Sequence, residues 1–169
     1  MILSAADETM GLRATCQLLI PSILRFHTWR PHLQLDPSAF VADPELIRAL
    51  ELGSTPTTCG GDRVLFHQGD APAGLYILDE GEATLTMDTP AGKPLISVQA
   101  QAGSLLGLPG LIGNEPYTLT ATARTGAKIS FISRDRFTSQ MSSDPMLALK
   151  ILQVLAAEVR SARRAMADR

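Results

Sequence analysis

In the fragment EATLTM, Ala83, Leu85 and Met87 alternate with Glu82, Thr84, Thr86 and the following Asp88. This period of two marks a strand with one face in a core and one in water. Five further segments have strand character: RVLFH, GLYIL, PLISV, YTLTATA and AKISFIS. Between them Gly61, Gly69, Gly81, Gly92, Gly103, Gly113 and Gly126 recur at spacings of 8 to 13 residues. Short strands punctuated at this interval predict an antiparallel sandwich, jelly roll or barrel.

Helical signals bracket the β block. Asp36-Pro37, Asp43-Pro44 and Asp144-Pro145 each place an N-capping Asp before a Pro suited to the first helical position. The second pair opens PELIRALELG, a short helix that Gly53 should end. The third opens a long helix, PMLALKILQVLAAEVRSARRAM. In it Ala148, Leu152, Leu155, Val159, Ala162 and Met166 are spaced 4, 3, 4, 3 and 4, a heptad-like seam. A second stripe, Leu147, Ile151 and Val154, stops at Glu158. One face can then cover the β block while the other meets a partner helix; the competing reading is one wide stripe buried on its own domain. Earlier in the chain, LRATCQLLI and SILRFHTWR read as helices ended by Pro21 and Pro31, with Phe26 and Trp29 packing a joint. The expected organisation is an N-terminal helical segment over 1–42, a β-roll over 43–143 and a terminal lid or dimerisation helix over 144–169. The fold class is mainly β: a double-stranded β-helix (jelly roll or β-roll) with flanking helices.

Composition narrows the field. The 169 residues carry a formal charge of −2, ordinary for a globular protein. No apolar run reaches the length of a membrane span, and the N-terminus lacks the features of a secretion signal, so a cytoplasmic location without a membrane partner is expected. Residues 60–130 hold 4 Lys/Arg against 7 Asp/Glu, whereas 131–169 hold 7 against 4. An acidic middle is a poor field for free anions, and the basic end is too small for non-specific DNA binding. Cys16 and Cys59 fit neither a disulfide framework nor a Cys metal site.

The stretch GLPGLIGNEPYTLTATA, Gly107 to Ala123, carries the candidate chemistry. Glycine-rich turns let backbone N–H groups converge on an anion, yet the only charge here is Glu115. Upstream, GDRVLFHQGDAPAGLYILDEGEATLTM resembles the opening strands of the cyclic-nucleotide-binding domain family. Gly69-Asp70, Tyr76-Ile77-Leu78 and Gly81 match its turn, strand and following Gly. The glycine-rich stretch falls where that family keeps its phosphate-binding cassette. ISFISRDRF, Ile129 to Phe137, resembles the strand and Arg-containing turn after it, and the terminal helix resembles the lid and dimer helix of the catabolite-activator branch.

The resemblance implies a regulatory, signal-transducing module rather than an enzyme. Its effector would lie at Gly107, Leu108, Pro109, Gly110, Tyr117 and Thr118, with Leu152, Leu155, Val159 and Ala162 on the lid or dimer helix. The family cassette reads roughly Gly-Glu-Leu-Ala-Leu and then Pro-Arg-Ala/Ser, its Glu on the ribose and its Arg on the cyclic phosphate. Gly107, Leu111 and Pro116 fit, but Leu108 stands in the Glu place and Tyr117 in the Arg place. Losing two charge-assisted interactions of about 1.5–3 kcal/mol each weakens binding by on the order of a hundred-fold to ten-thousand-fold. Cyclic AMP or cyclic GMP held in the usual manner is therefore disfavoured. Two readings stay open: Leu108 and Tyr117 line an apolar pocket for another small effector, with Thr118 as anchor, or Tyr117 fills the pocket and leaves a ligand-free dimerisation or protein-interaction scaffold. A homodimer through the terminal helix is expected under both.

Other classes find little support. A cupin-type metal site needs several His, and of His27, His32 and His67 only the last lies in the β block. There is no GxSxG nucleophile motif, and two Cys are too few for an iron–sulfur cluster. Nothing local favours haem at His27 or His67. The family's DNA reader follows the long helix, where this sequence stops at Arg169; the expectation is a stand-alone sensor that does not itself bind DNA, with Arg160, Arg163 and Arg164 on a solvated face. No resident metal or cofactor is expected.

Overall fold

A computed structural model describes residues 33–168. The two expected N-terminal helices, Phe26, Trp29, Cys16, His27 and His32 lie outside the described residues.

A 3-10 turn, Pro37–Phe40, leads into helix α1, Pro44–Glu51, and strands β1, Thr55–Thr58, and β2, Arg63–Phe66. Strands β3, Gly74–Glu80, β4, Glu82–Asp88, and β5, Pro94–Gln101, form a meander, followed by the two-residue β6, Leu105–Leu106. A short helix α2, Leu108–Gly113, precedes β7, Thr120–Ala123, and β8, Lys128–Ser133. Helices α3, Arg134–Ser143, and α4, Pro145–Ala167, complete the described chain. The strands form two antiparallel four-stranded sheets, ordered β1-β8-β3-β6 and β2-β7-β4-β5. This is the mainly β roll with flanking helices that the turn rhythm predicts.

All three Asp-Pro pairs start helical turns. The Asp43 carboxylate accepts from the Glu45 and Leu46 N–H groups at 3.0 and 2.9 Å, and Asp144 accepts from Met146 and Leu147 at 2.9 and 3.0 Å. Asp36 accepts from the Ser38 N–H at 2.9 Å. Each carboxylate satisfies donors the helix cannot, which stabilises the start by about 1 kcal/mol.

Strand sequences follow from what covers them. β4 alternates because one face meets water. β3 reads apolar from Leu75 to Leu78 because both faces are covered there. Leu78 faces the interior of the roll with Phe66, Leu85 and Ile129, while Leu75 and Ile77 join Leu46, Leu50, Ile132 and Ile151 under the helices. Gly74 opens β3 where no side chain fits: an added Cβ would lie 2.1 Å from the Ile132 carbonyl oxygen and 2.6 Å from the Phe131 ring.

Four elements differ from the sequence reading. β1, TPTT, is exposed throughout and carries no hydrophobic signal; its Pro56 is tolerated because β1 is an edge strand. β6 is too short to show a period. YTLTATA is strand only from Thr120, because the backbone of Tyr117 bonds to the Gly69-Asp70 turn instead. RDRF begins a helix rather than a turn, its only buried residue being Phe137.

Helix α4 presents both expected stripes. Leu147, Ile151 and Val154 are buried on the roll side, and the stripe continues through Ser161 and Ala165. The Ser161 hydroxyl accepts from the Asp36 N–H at 2.7 Å, tying the helix to the segment before α1. The other seam stays largely open, with Leu152 48% and Val159 42% exposed. Arg160, Arg163 and Arg164 are exposed, and Cys59 is a buried free thiol.

Candidate functional site

Gly107 starts the site. It caps α2 in the left-handed conformation, φ 88°, which favours glycine, and a Cβ there would stand 2.7 Å from the Tyr117 ring. A Cβ on Gly110 would come within 3.1 Å of the same ring. The two glycines thus clear a bed for Tyr117, which is 3% exposed and stacks on Phe66 with centroids 4.0 Å apart.

Four hydrogen bonds fix Tyr117, all to the backbone of residues 69–74. Its N–H donates to the Asp70 carbonyl at 2.9 Å, and its carbonyl accepts from the Gly69 N–H at 2.8 Å. Its hydroxyl donates to the Gly74 carbonyl at 2.7 Å and accepts from the Gly74 N–H at 3.2 Å. Burial raises the phenol above its usual pKa, so it stays a neutral donor. Tyr117 is a strut between the cassette and the turn before β3. A ring tied in this way does not swing.

Beside the strut a cavity of about 210 Å³ remains open. The roll supplies Phe66, Leu85, Met87, Ile96 and Leu106, the cassette Gly107, Pro109, Gly110, Tyr117, Thr118 and Leu119, and the segment before α1 Leu35 and Phe40. Helix α4 closes it with Leu155, Glu158, Val159 and Ala162. The structure therefore gathers five of the six cassette residues singled out in the sequence, with Tyr117 as a wall rather than a filling. Leu108 is the exception. It is fully buried with Leu105, Leu111, Ile132 and Ile151 in the core under the helices, because the turn of α2 points it away from the roll. Of the four helix residues, Leu152 is not in the lining and lies on the exposed seam.

The electrostatics are the reverse of a phosphate site. Among the described residues no Lys or Arg lines the cavity. Arg124 pairs with Asp62 at 2.8 Å on the surface, and Arg134 bonds to Asn114. Pro109, in the first turn of α2, has no N–H to offer an anion. The one charged residue among the described residues of the lining is an acid, Glu158. Its Oε1 is sealed from solvent and has no hydrogen-bond partner among the described residues, and burial alone pushes its pKa up to about 8. Sequence reading saw Glu158 only as the end of an apolar stripe. Its interruption of the buried spacing 147, 151, 154 was the signal available.

Glu158 makes stability depend on pH. The unfolded chain releases this proton near 4.5, the folded chain near about 8. Between those values the native state binds the extra proton, so stability falls as pH rises, by up to about 1.4 kcal/mol per unit, and levels above about 8. Glu158→Gln should flatten this fall in urea unfolding at pH 6, 7 and 8. Equal slopes in both proteins would place the carboxylate in water.

His67 lies outside the cavity lining, exposed, 3.4 Å from the Asp70 carboxylate. Among the described residues no cluster of three or more His, Cys, Asp or Glu can hold a metal, and no helix is long and apolar enough to cross a membrane.

The profile of the family described as Cyclic nucleotide-binding domain matches residues 59–144, which contain the cassette. None of the curated proteins matches the chain by sequence. Among solved structures, the catabolite activator protein of Thermus thermophilus superposes with a TM-score of 0.64 at 19% identity, over 78% of this chain and 62% of that one. The N-terminal domain of a transcriptional regulator from Streptomyces coelicolor A3(2) gives 0.56 at 25% identity, over 77% and 93%. A c-di-GMP-responsive global regulator of Xanthomonas campestris gives 0.59 at 20%, over 72% and 62%. The chain thus spans less than two thirds of the length of the first and third of these.

Proposed function

The chain belongs to the cyclic nucleotide-binding domain family, and from that premise we infer that it is a regulatory module whose effector is a small molecule other than cyclic AMP or cyclic GMP bound in the usual manner. One observation carries the reading: a largely apolar cavity at the family's cassette, bordered by α4 and without a cation among the described residues. Its volume of about 210 Å³ is below the roughly 300–1,000 Å³ usual for drug-sized ligands. A cyclic phosphate placed there would lose its water without gaining a counter-charge, and would face an acid.

The mechanism follows from α4. Leu155, Glu158, Val159 and Ala162 line the cavity, while Leu152 and Val159 belong to the exposed seam. An effector that binds one position of the helix better than another shifts that equilibrium by the difference in affinity. The seam carries the change to a second copy packed along the same helix. Leu152→Glu, which leaves the cavity lining intact, should produce monomers in light scattering; an unchanged mass would remove the seam from the interface.

The test of the effector reading is a thermal-shift titration with cyclic AMP, cyclic GMP and cyclic dinucleotides, beside a search for a ligand that co-purifies. No stabilisation by micromolar cyclic nucleotide is expected. Micromolar binding of cyclic AMP would overturn the reading. The exposed seam of α4 favours a second reading, a ligand-free dimerisation or protein-interaction scaffold of the same fold, in which the cavity is only residual space.

A further inference from the structure

An acid inside an apolar cavity is unfavourable unless something answers it. As a carboxylate Glu158 lacks a partner, and as a neutral acid it leaves Oε1 without a hydrogen bond among the described residues. A Leu or Met at this helix position would extend the stripe of Leu147, Ile151 and Val154 and cover the roll with no such penalty. Glu158 instead forms part of the wall of a cavity to which Phe66, Leu85, Ile96, Leu119 and Leu155 also contribute. The volume sets the size of the occupant. An apolar cavity of about 150 Å³ accommodates benzene, so about 210 Å³ holds one ring with a tail of two or three atoms.

The geometry points to a compact apolar molecule bearing one protonated amine, its ring against the roll and its ammonium donating to the Glu158 carboxylate on α4. The inference rests on the cavity being an effector site and names the chemical class of that effector. The ammonium would donate to the accessible oxygen, Oε2, since Oε1 is sealed, and a charge-assisted bond in a water-poor cavity is about twice as strong as a neutral one. Contact with α4 also gives the ligand a hold on the moving element. An acidic ligand is rejected by the same group.

Proton linkage makes this distinctive. Tyr117 is the other ionisable residue in the lining among the described residues, and burial keeps it neutral. The charged groups near Glu158 along the chain are engaged elsewhere or exposed. Lys150 pairs with Asp43 and Glu45, Asp36 caps its turn within the field of Arg164, and Arg160 and Arg163 are exposed. Burial is the sole cause of the Glu158 shift, with no charged neighbour contributing. At pH 7 the free protein holds the proton and the complex does not, so each amine bound releases about one proton. Affinity therefore rises about tenfold per unit from pH 6 toward 8 and then levels off until the amine itself titrates.

The experiment uses the full chain and three probes of similar size: 2-phenylethylamine, n-propylbenzene and phenylacetate. Calorimetry at pH 6, 7 and 8, in buffers of different ionisation enthalpy, reads affinity and proton release. The amine should bind at least about tenfold more tightly than the hydrocarbon at pH 8, and the acid most weakly. Glu158→Gln should erase the amine's preference over propylbenzene, its pH dependence and the proton release. Melting of the free variant checks that it is folded. Equal binding of amine and hydrocarbon, or an amine affinity unchanged in Glu158→Gln, overturns the assignment of Glu158 but leaves the cavity an effector site. Failure of all three probes at millimolar concentration overturns both.

Discussion

Gly74→Ala should lose about 3 kcal/mol or more of folding stability in urea unfolding, a large share of the roughly 5–15 kcal/mol that holds a domain. The added methyl would sit 2.1 Å from the Ile132 carbonyl oxygen and against the Phe131 ring. A flexible side chain could yield to it, but this oxygen belongs to β8, paired with β3 from Gly74↔Ser133 onward. Relief requires the start of β3 to move out of register. That movement would also pull the Gly74 N–H and C=O from the Tyr117 hydroxyl, adding the cost of two buried hydrogen bonds. A loss below about 1 kcal/mol would mean that the start of β3 slides freely and that Gly74 is not fixed by packing.

Removing the strut should cost as much by a different route. Tyr117→Ala deletes a buried ring stacked on Phe66 and leaves the space under Gly107 and Gly110 empty, for an expected loss of about 3–5 kcal/mol. Tyr117→Phe keeps the ring and removes only the hydroxyl, for an expected loss of about 1–2 kcal/mol. The two variants separate packing from hydrogen bonding at one position. If Phe costs as much as Ala, the hydroxyl alone holds the cassette. If neither costs more than about 0.5 kcal/mol, Tyr117 is a loop residue and not a strut. Tyr117→Ala should also enlarge the cavity, so n-propylbenzene binding is a second readout beside urea unfolding.

The same residue shows how far the sequence could be read. A Tyr in the cassette's Arg place, with no cation beside it, was enough to disfavour a phosphate. Whether the ring lined or filled the cavity depended on Gly74, 43 positions away, whose N–H donates to the hydroxyl and whose C=O accepts from it. No local pattern links the two. Leu108 reads like its neighbours in the loop, and only the turn of α2 sends it to the opposite core. Glu158 is the counterpart: visible as a break in a stripe, meaningful only once that stripe faces a cavity.

By itself the sequence determined what is local. The Asp-Pro pairs set the helix starts because cap and φ restriction act within a few residues. Alternation and glycine spacing set the roll because a strand's two faces meet different surroundings. The ordered motifs of the cassette and its flanking strands set the family. Tertiary structure decided what depends on elements far apart in the chain. The rotation of α4 over the roll put Glu158 in the cavity and left Leu152 exposed. Pairing with β8 made TPTT a strand. The approach of residues 69–74 pinned Tyr117. A side chain's role at each of these places depends on what packs against it, and the chain writes that partner tens of residues away.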